Sequence, residues 1–168
     1  MERILVIGSP GAGKSHFSRA LSAATGLPLY HLDMLYWNER GESCTREELV
    51  SRLLPILEGE RWIIDGNFSA TFPLRLSYAT CVILIDVDFE VCEDGIRSRV
   101  GTVRDDIPFV ESEPREELIE AARRYRTYTL PKMLDALKQH PRVKLLRFDT
   151  RENANNYLQS IITGGSYV

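Results

Sequence analysis

Cysteine is scarce: Cys44, Cys81 and Cys92 are the only three in 168 residues, an odd number with no paired metal-ligand spacing. Neither a disulfide framework nor a cysteine metal site is indicated, and reduced thiols are expected. Long apolar runs are missing too, and none approaches the length that crosses a bilayer. The start of the chain carries one early basic residue, Arg3, and enters an apolar run at once. It does not resemble a secretory signal, so cytoplasmic residence is the expectation. An excess of positive charge is also lacking: 21 Lys and Arg against 24 Asp and Glu leave a formal charge of −3, with no global attraction for nucleic acid. Any basic character must be local. There is no internal repeat, linker or low-complexity tract, and 43% hydrophobic residues suffice for one compact domain over residues 1–168.

The apolar run Ile4-Leu5-Val6-Ile7 leads into Gly8-Ser9-Pro10-Gly11-Ala12-Gly13-Lys14-Ser15, the Gly-x-x-x-x-Gly-Lys-Ser pattern of a phosphate-binding loop. A buried strand delivering the chain into a glycine turn, followed by a helix, converges backbone N–H groups on one point, and the helix N-terminus adds partial positive charge there. Gly8, Gly11 and Gly13 permit angles and close approach that a Cβ forbids. Lys14 is positioned for the terminal phosphates of a nucleoside triphosphate, and the Ser15 hydroxyl for Mg²⁺. His16 follows at the start of the helix. Residues 8–16 are thus the expected nucleotide site, with Mg-ATP as the expected ligand.

Apolar segments of strand length alternate with longer amphipathic ones, which predicts a parallel sheet covered on both faces. Strands are read at 4–7, 29–32, 61–65, 82–86 and 143–148, and helices at 14–25, 46–57, 90–99, 115–139 and 152–162. Thr45 is the expected N-cap of the second helix, with Glu48 three residues on. Pro131 should kink or split the longest helix. The segment from about 100 to 114 carries Gly101, Pro108 and Pro114 without clean periodicity and reads as a lid. Residues 164–168 read as a frayed tail.

Asp65 ends Trp62-Ile63-Ile64 and precedes Gly66, so it lies at the edge where ligands bind in such sheets. It reads as a metal contact through water, or as a turn aspartate. Asp86 has the same position after the fourth strand, and with Asp88 and a helix following it reads as a cap. Asp33 closes the second strand. It serves a substrate hydroxyl as base, orients metal-bound water, or caps the next turn. Tyr36 and Trp37 offer a ring-stacking wall, although aromatic residues are also ordinary core. His31 reads as a packed core histidine. Arginines concentrate in the second half, and Arg99 and Arg104 flank the irregular segment, which suits them to neutralise a phosphoryl group in flight. Arg123 and Arg124 follow Glu120 at pairing distance on a helix.

With Gly-Ser-Pro-Gly-Ala-Gly-Lys-Ser, Tyr30-His31-Leu32-Asp33 with Trp37 four residues later, and Trp62-Ile63-Ile64-Asp65-Gly66-Asn67-Phe68, the chain resembles the nucleoside monophosphate kinase group of P-loop proteins. It most resembles the adenylate-kinase-related DNA topology modulation proteins. The resemblance runs to about residue 148. It implies a three-layer αβα sandwich with a five-stranded parallel sheet and a short lid, a Mg-ATP site on the loop, and an acceptor site beneath the second helix. The departures bear on the acceptor. The family's two arginines that grip an acceptor phosphate are replaced by Tyr36 and Ser69, leaving Arg75 as the candidate substrate contact. A family lid arginine is replaced by Gly95, while Arg99 matches the second. Two functions follow as expectations. One is a phosphotransferase in which Lys14, Arg99, Arg104 and Asp33 are catalytic, Ser15 and Asp65 handle the metal, and Asp33, Trp37 and Arg75 meet a small-molecule or nucleotide acceptor. The other is a nucleotide-responsive binding protein with little turnover. Direct nucleic-acid binding and membrane association are not expected.

Overall fold

The computed structural model describes residues 2–164. Of the expected tail only Gly164 falls within them; residues 165–168 lie outside the described residues. Five strands form a single parallel sheet in the order β2-β3-β1-β4-β5: β1 (Arg3–Gly8), β2 (Leu29–His31), β3 (Trp62–Asp65), β4 (Cys81–Ile85) and β5 (Lys144–Phe148). Side-chain alternation along the central strand decides the layers. Ile4 and Val6 face one side, where they meet Phe17 and Leu21 of α1 (Lys14–Thr25), Cys92 and Ile96 of α5 (Phe89–Arg97), Ile119 of α6 (Glu116–Arg124) and Leu158 of α8 (Arg151–Ile162). Leu5 and Ile7 face the other, against Leu49 and Leu53 of α3 (Arg46–Leu57), Phe72 and Leu76 of α4 (Phe72–Tyr78) and Met133 of α7 (Leu130–Lys138). Both faces of the sheet are therefore covered, which is why β1, β3 and β4 read as unbroken apolar runs.

The register sets Val6 beside both Asp65 and Ile83, so the carboxyl ends of the central strands share one edge. At that edge the chain leaves β1 into the phosphate loop, β2 into the short helix α2 (Leu32–Tyr36), and β3 into Gly66. The edge strand β5 is largely exposed and carries Lys144 and Arg147, charges that discourage pairing with another sheet.

The expected elements are all present, with three differences. Helices α2 and α4 are additional; at five and seven residues they are too short to show a helical period. The expected helix over 115–139 is α6 and α7 joined by a π-helical turn at Tyr125–Thr129. Pro131 has no N–H to give the preceding turn, and it stands at the start of α7, where that absence is harmless. The capping box at α3 forms as read: Thr45 accepts from the Glu48 N–H at 3.2 Å, and Glu48 accepts from the Thr45 N–H at 2.8 Å. All three cysteines are free; Cys81 and Cys92 are buried, and burial pushes the Cys81 thiol up to about 12. Among the described residues no helix is long and apolar enough to cross a membrane.

Candidate active site

A cleft of about 690 Å³ opens at the carboxyl edge of the sheet, floored by the phosphate loop. Gly8, Gly11 and Gly13 all take positive φ, as the loop requires. Pro10, Gly11, Ala12, Gly13, Lys14, Ser15 and His16 line the cleft. Ser9 is buried beneath it, with its carbonyl accepting from Lys14 Nζ at 2.9 Å, and Gly8 sits at the strand end. Burial disfavours the charged ammonium and lowers the Lys14 pKa, against the pull of Asp65 and Asp33. A side arm reaches the loop from far along the chain: Arg151, at the first turn of α8, donates to the Gly11 carbonyl at 2.7 Å and to the Ala12 carbonyl at 3.3 Å.

The loop is backed by α5, and the packing at Gly95 leaves no room there for an arginine. A Cβ at Gly95 would collide with the Gly11 carbonyl oxygen and lie 2.8 Å from Arg151 Nη2. No side chain fits between this helix and the loop.

Asp65 is 4% exposed, and its two oxygens differ. Oδ1 holds His31 Nδ1 at 2.8 Å, so His31 is a partner of the site's acid rather than a purely apolar core residue. Burial alone would lower the His31 pKa, but the hydrogen bond and charge of Asp65 raise it. Oδ2 is buried with no hydrogen-bond partner among the described residues. An orphaned carboxylate oxygen is costly unless something cationic or hydrated meets it. With the Ser15 hydroxyl in the same cleft, this donor set suits a hard cation such as Mg²⁺, which keeps several waters and takes one or two protein oxygens. Among the described residues no cluster of three or more His, Cys, Asp or Glu side chains is arranged as a self-sufficient metal site.

Asp33 and Trp37 also line the cleft. Asp33 stands in the first turn of α2, whose N-cap is His31, so the capping alternative for Asp33 falls away. Its pKa is raised, by burial first and by the charges of Asp65 and Asp106, with Lys14 opposing.

Arg99 and Arg104 face the cleft as expected, but neither is free. Arg99 Nε pairs with Glu111 at 2.9 Å; Arg104 spans Asp106 at 2.6 and 2.9 Å and Glu111 at 3.1 Å. Both acids are buried, Asp106 at 3% exposure. Burial would raise the Asp106 pKa, yet Arg104, the Ser15 hydroxyl and His31 together hold it at about 2. Asp106 and Glu111 are site residues that the sequence reading passed over. The signal was there: Arg99 and Arg104 are followed by Asp105, Asp106 and Glu111, so the segment carries the counter-charges of its own arginines.

Two expectations are corrected. Arg75 does not meet a substrate. Its guanidinium is fully buried, outside the cleft, and spent on backbone: Nη1 donates to the Gly66 carbonyl at 3.0 Å, Nη2 to the Asn67 carbonyl and to the Phe68 carbonyl at 3.1 Å, and Nε to the Thr71 hydroxyl at 3.3 Å. Asp86 does not cap. It is 2% exposed and held by Arg126 at 2.8 Å and by Arg147, while Asp88 takes the N-cap position of α5. Arg123 and Arg124 pair with Glu120 at 3.7 and 3.8 Å, as their spacing implied.

No known protein family matches the chain, and no curated protein matches it by sequence. Solved structures do match. A gluconokinase from Sinorhizobium meliloti 1021 is similar over 97% of this chain and 90% of its own, with a TM-score of 0.54 at 16% identity. At that identity the likeness carries the architecture alone. The protein has the α/β fold of a P-loop kinase, a five-stranded parallel sheet between helices.

Proposed function

We propose that the protein is an ATP-dependent phosphotransferase that moves the terminal phosphate of Mg-ATP to a hydroxyl of a small acceptor. The carrying observation is the convergence, in one cleft, of the phosphate loop with Lys14, two arginines, Asp33 and an Asp65 oxygen that lacks a partner. A passive clamp on Mg-ATP would use the loop and the Asp65 oxygen but has no use for Asp33.

The loop amides and Lys14 bind the polyphosphate. Ser15 and Asp65 would hold Mg²⁺, which when bound offsets phosphate charge. The acceptor hydroxyl oxygen forms a bond to the γ-phosphorus as the β,γ-bridging P–O bond breaks, and that electron pair leaves with ADP. The hydroxyl proton passes to the Asp33 carboxylate, which burial and its acidic neighbours make more basic than an ordinary aspartate. Arg99 and Arg104 stabilise the charge spread over the phosphoryl oxygens. To do so they exchange Glu111 and Asp106 for phosphate, so residues 100–114 act as a lid whose resting partners are its own acids. Asp33 as base and the gluconokinase likeness both favour an alcohol as the acceptor. In kinship, the strings at 8–15 and 62–68 support reading the chain as similar to the adenylate-kinase-related topology modulation proteins.

Labelled Mg-ATP presented with nucleoside monophosphates, nucleosides, sugar acids and polyols tests the reading. Acceptor-dependent ADP release is expected for the parent and not for Lys14→Ala. No release above background with any acceptor overturns it. The pre-neutralised arginines favour one second reading, a nucleotide sensor: Mg-ATP would then change protease cleavage within 100–114 without turnover.

A further inference from the structure

The loop that leaves β3 is built at a cost that apolar packing alone does not require. Phe68 is the only non-glycine residue at positive φ among the described residues, at φ 27° and ψ 78°. An L-residue holds such a backbone only when its surroundings over-determine it. Here they do. Arg75 gathers the carbonyls of Gly66, Asn67 and Phe68 onto one buried guanidinium. Asn67 is stitched to the phosphate loop from both sides, its Oδ1 accepting from the Gly8 N–H at 3.2 Å and its Nδ2 donating to the Gly8 carbonyl at 2.7 Å.

What this bracing delivers is the Phe68 ring. It stands half-buried in the cleft wall, 4.3 Å from the Tyr36 ring, which meets Trp37 edge-on at 4.8 Å. Tyr36, Trp37 and Phe68 line the same cleft as Asp33 and Lys14. Their rings make a continuous wall next to the carboxylate that would receive the acceptor's proton. The charge beside this wall is also informative. Arg75 is committed to backbone, and Arg115, over the Trp37 ring at 5.2 Å, is paired with Glu117 at 2.7 Å. Of the arginine side chains lining the cleft, that of Arg19 alone has no hydrogen bond or ion pair with another described residue, while those at the rings are committed and aromatic surface is plentiful.

Building on the phosphotransferase reading, we propose that Tyr36, Trp37 and Phe68 form the acceptor platform. The acceptor is an alcohol carrying a flat unsaturated ring and no phosphate, of which a nucleoside is the simplest class. Its ring lies on the wall through dispersion and quadrupole contacts, and its hydroxyl faces Asp33. Phe68 is a binding residue, and Arg75 is a positioning residue that acts through it.

Trp37 and Trp62 are the only tryptophans, and Trp62 is fully buried, so ligands on the wall report through Trp37 emission. Adenosine, guanosine, cytidine and uridine, their 5′-monophosphates, gluconate and xylitol are titrated without ATP, then assayed for Mg-ATP-dependent ADP release. At least one nucleoside should change the emission saturably and support release, with kcat/KM at least tenfold above its monophosphate, gluconate and xylitol. Phe68→Leu should weaken that nucleoside at least tenfold while Mg-ATP affinity stays within twofold. Arg75→Lys, assayed at 10 °C on folded protein, should raise acceptor KM at least fivefold with Mg-ATP affinity kept. Equal losses of both affinities would make Arg75 merely structural. The platform is overturned if no nucleoside titrates, if a monophosphate, gluconate or xylitol is preferred, or if Phe68→Leu leaves nucleoside affinity unchanged. Failure of Mg-ATP to bind by calorimetry sinks the phosphotransferase reading instead, because the emission titration judges the wall without nucleotide.

Discussion

Replacing Asp106 with Asn removes one charge from the centre of the ion-pair cluster in the proposed lid. The aspartate is buried and grips Arg104 through both oxygens, at 2.9 and 2.6 Å. Its carboxyl is held at about 2 against 3.8 for an unconstrained aspartate. At ~1.36 kcal/mol for each tenfold in proton affinity, that difference makes the ionised form worth about 2 kcal/mol to the ordered lid. The sign follows from the direction of the shift. A depressed acid contributes fully above its unconstrained pKa near 4, and the contribution is lost as pH falls from there toward 2. Asp106→Asn forfeits it at every pH, leaving Arg104 with Glu111 alone. About 2 kcal/mol multiplies a local opening constant by roughly 30. Amide hydrogen exchange at pH 7 over residues 102–107 should therefore accelerate by about that factor, with the exchange of β1 and β4 unchanged. Acceleration below about threefold would refute the reasoning, because the carboxylate would then be held no better in the ordered lid than in the open one.

Lys14→Ala should weaken Mg-ATP binding on the order of a hundredfold by calorimetry, since a charge-assisted contact to phosphate is lost from a site that already pays for burying it. Arg75→Met should lower stability by at least about 3 kcal/mol, read as a shift of the urea midpoint, because three loop carbonyls lose their buried donor. Gly95→Ala should cost about 1–3 kcal/mol by overpacking and weaken Mg-ATP binding with it, since the new methyl group meets the loop carbonyl that Arg151 holds. Chelating Mg²⁺ with EDTA should weaken ATP binding to the parent and have a much smaller effect on Asp65→Ala, whose orphaned oxygen is gone.

What was legible in the sequence was local. The phosphate loop, the Thr45 capping box and the strand runs each declare themselves within a dozen residues, and each formed. Arg75 shows what was not legible. Its charge pointed to an anionic substrate, but the direction of its side chain is set by where α4 packs, a matter of tertiary burial. Asp86 failed for the same reason: Arg126 and Arg147 lie 40 and 61 positions away in the chain. Arg151 sits 140 residues from the Gly11 carbonyl it binds, and no local pattern announces that bond. Asp106 and Glu111 were within reach of the sequence, because Arg99 and Arg104 followed by Asp105, Asp106 and Glu111 have their counter-charges at hand before any ligand arrives.

The glycine-on-glycine seam between α5 and the phosphate loop has a mechanical corollary. Two backbones in direct contact, with an arginine from α8 clasping both Gly11 and the Val91 carbonyl, leave no slack for sliding or tilting. These contacts tie the helix to the floor of the cleft, so in the proposed closure the swing would begin beyond its last turn. Gly101, at φ +73° with nothing within 4 Å of where a Cβ would stand, would be the fulcrum of that closure once its N–H releases the Glu111 carbonyl it holds at 2.8 Å. Arg99 lies on the fixed side of that fulcrum and Arg104 on the travelling side, so the two guanidiniums would reach a phosphoryl group by different routes.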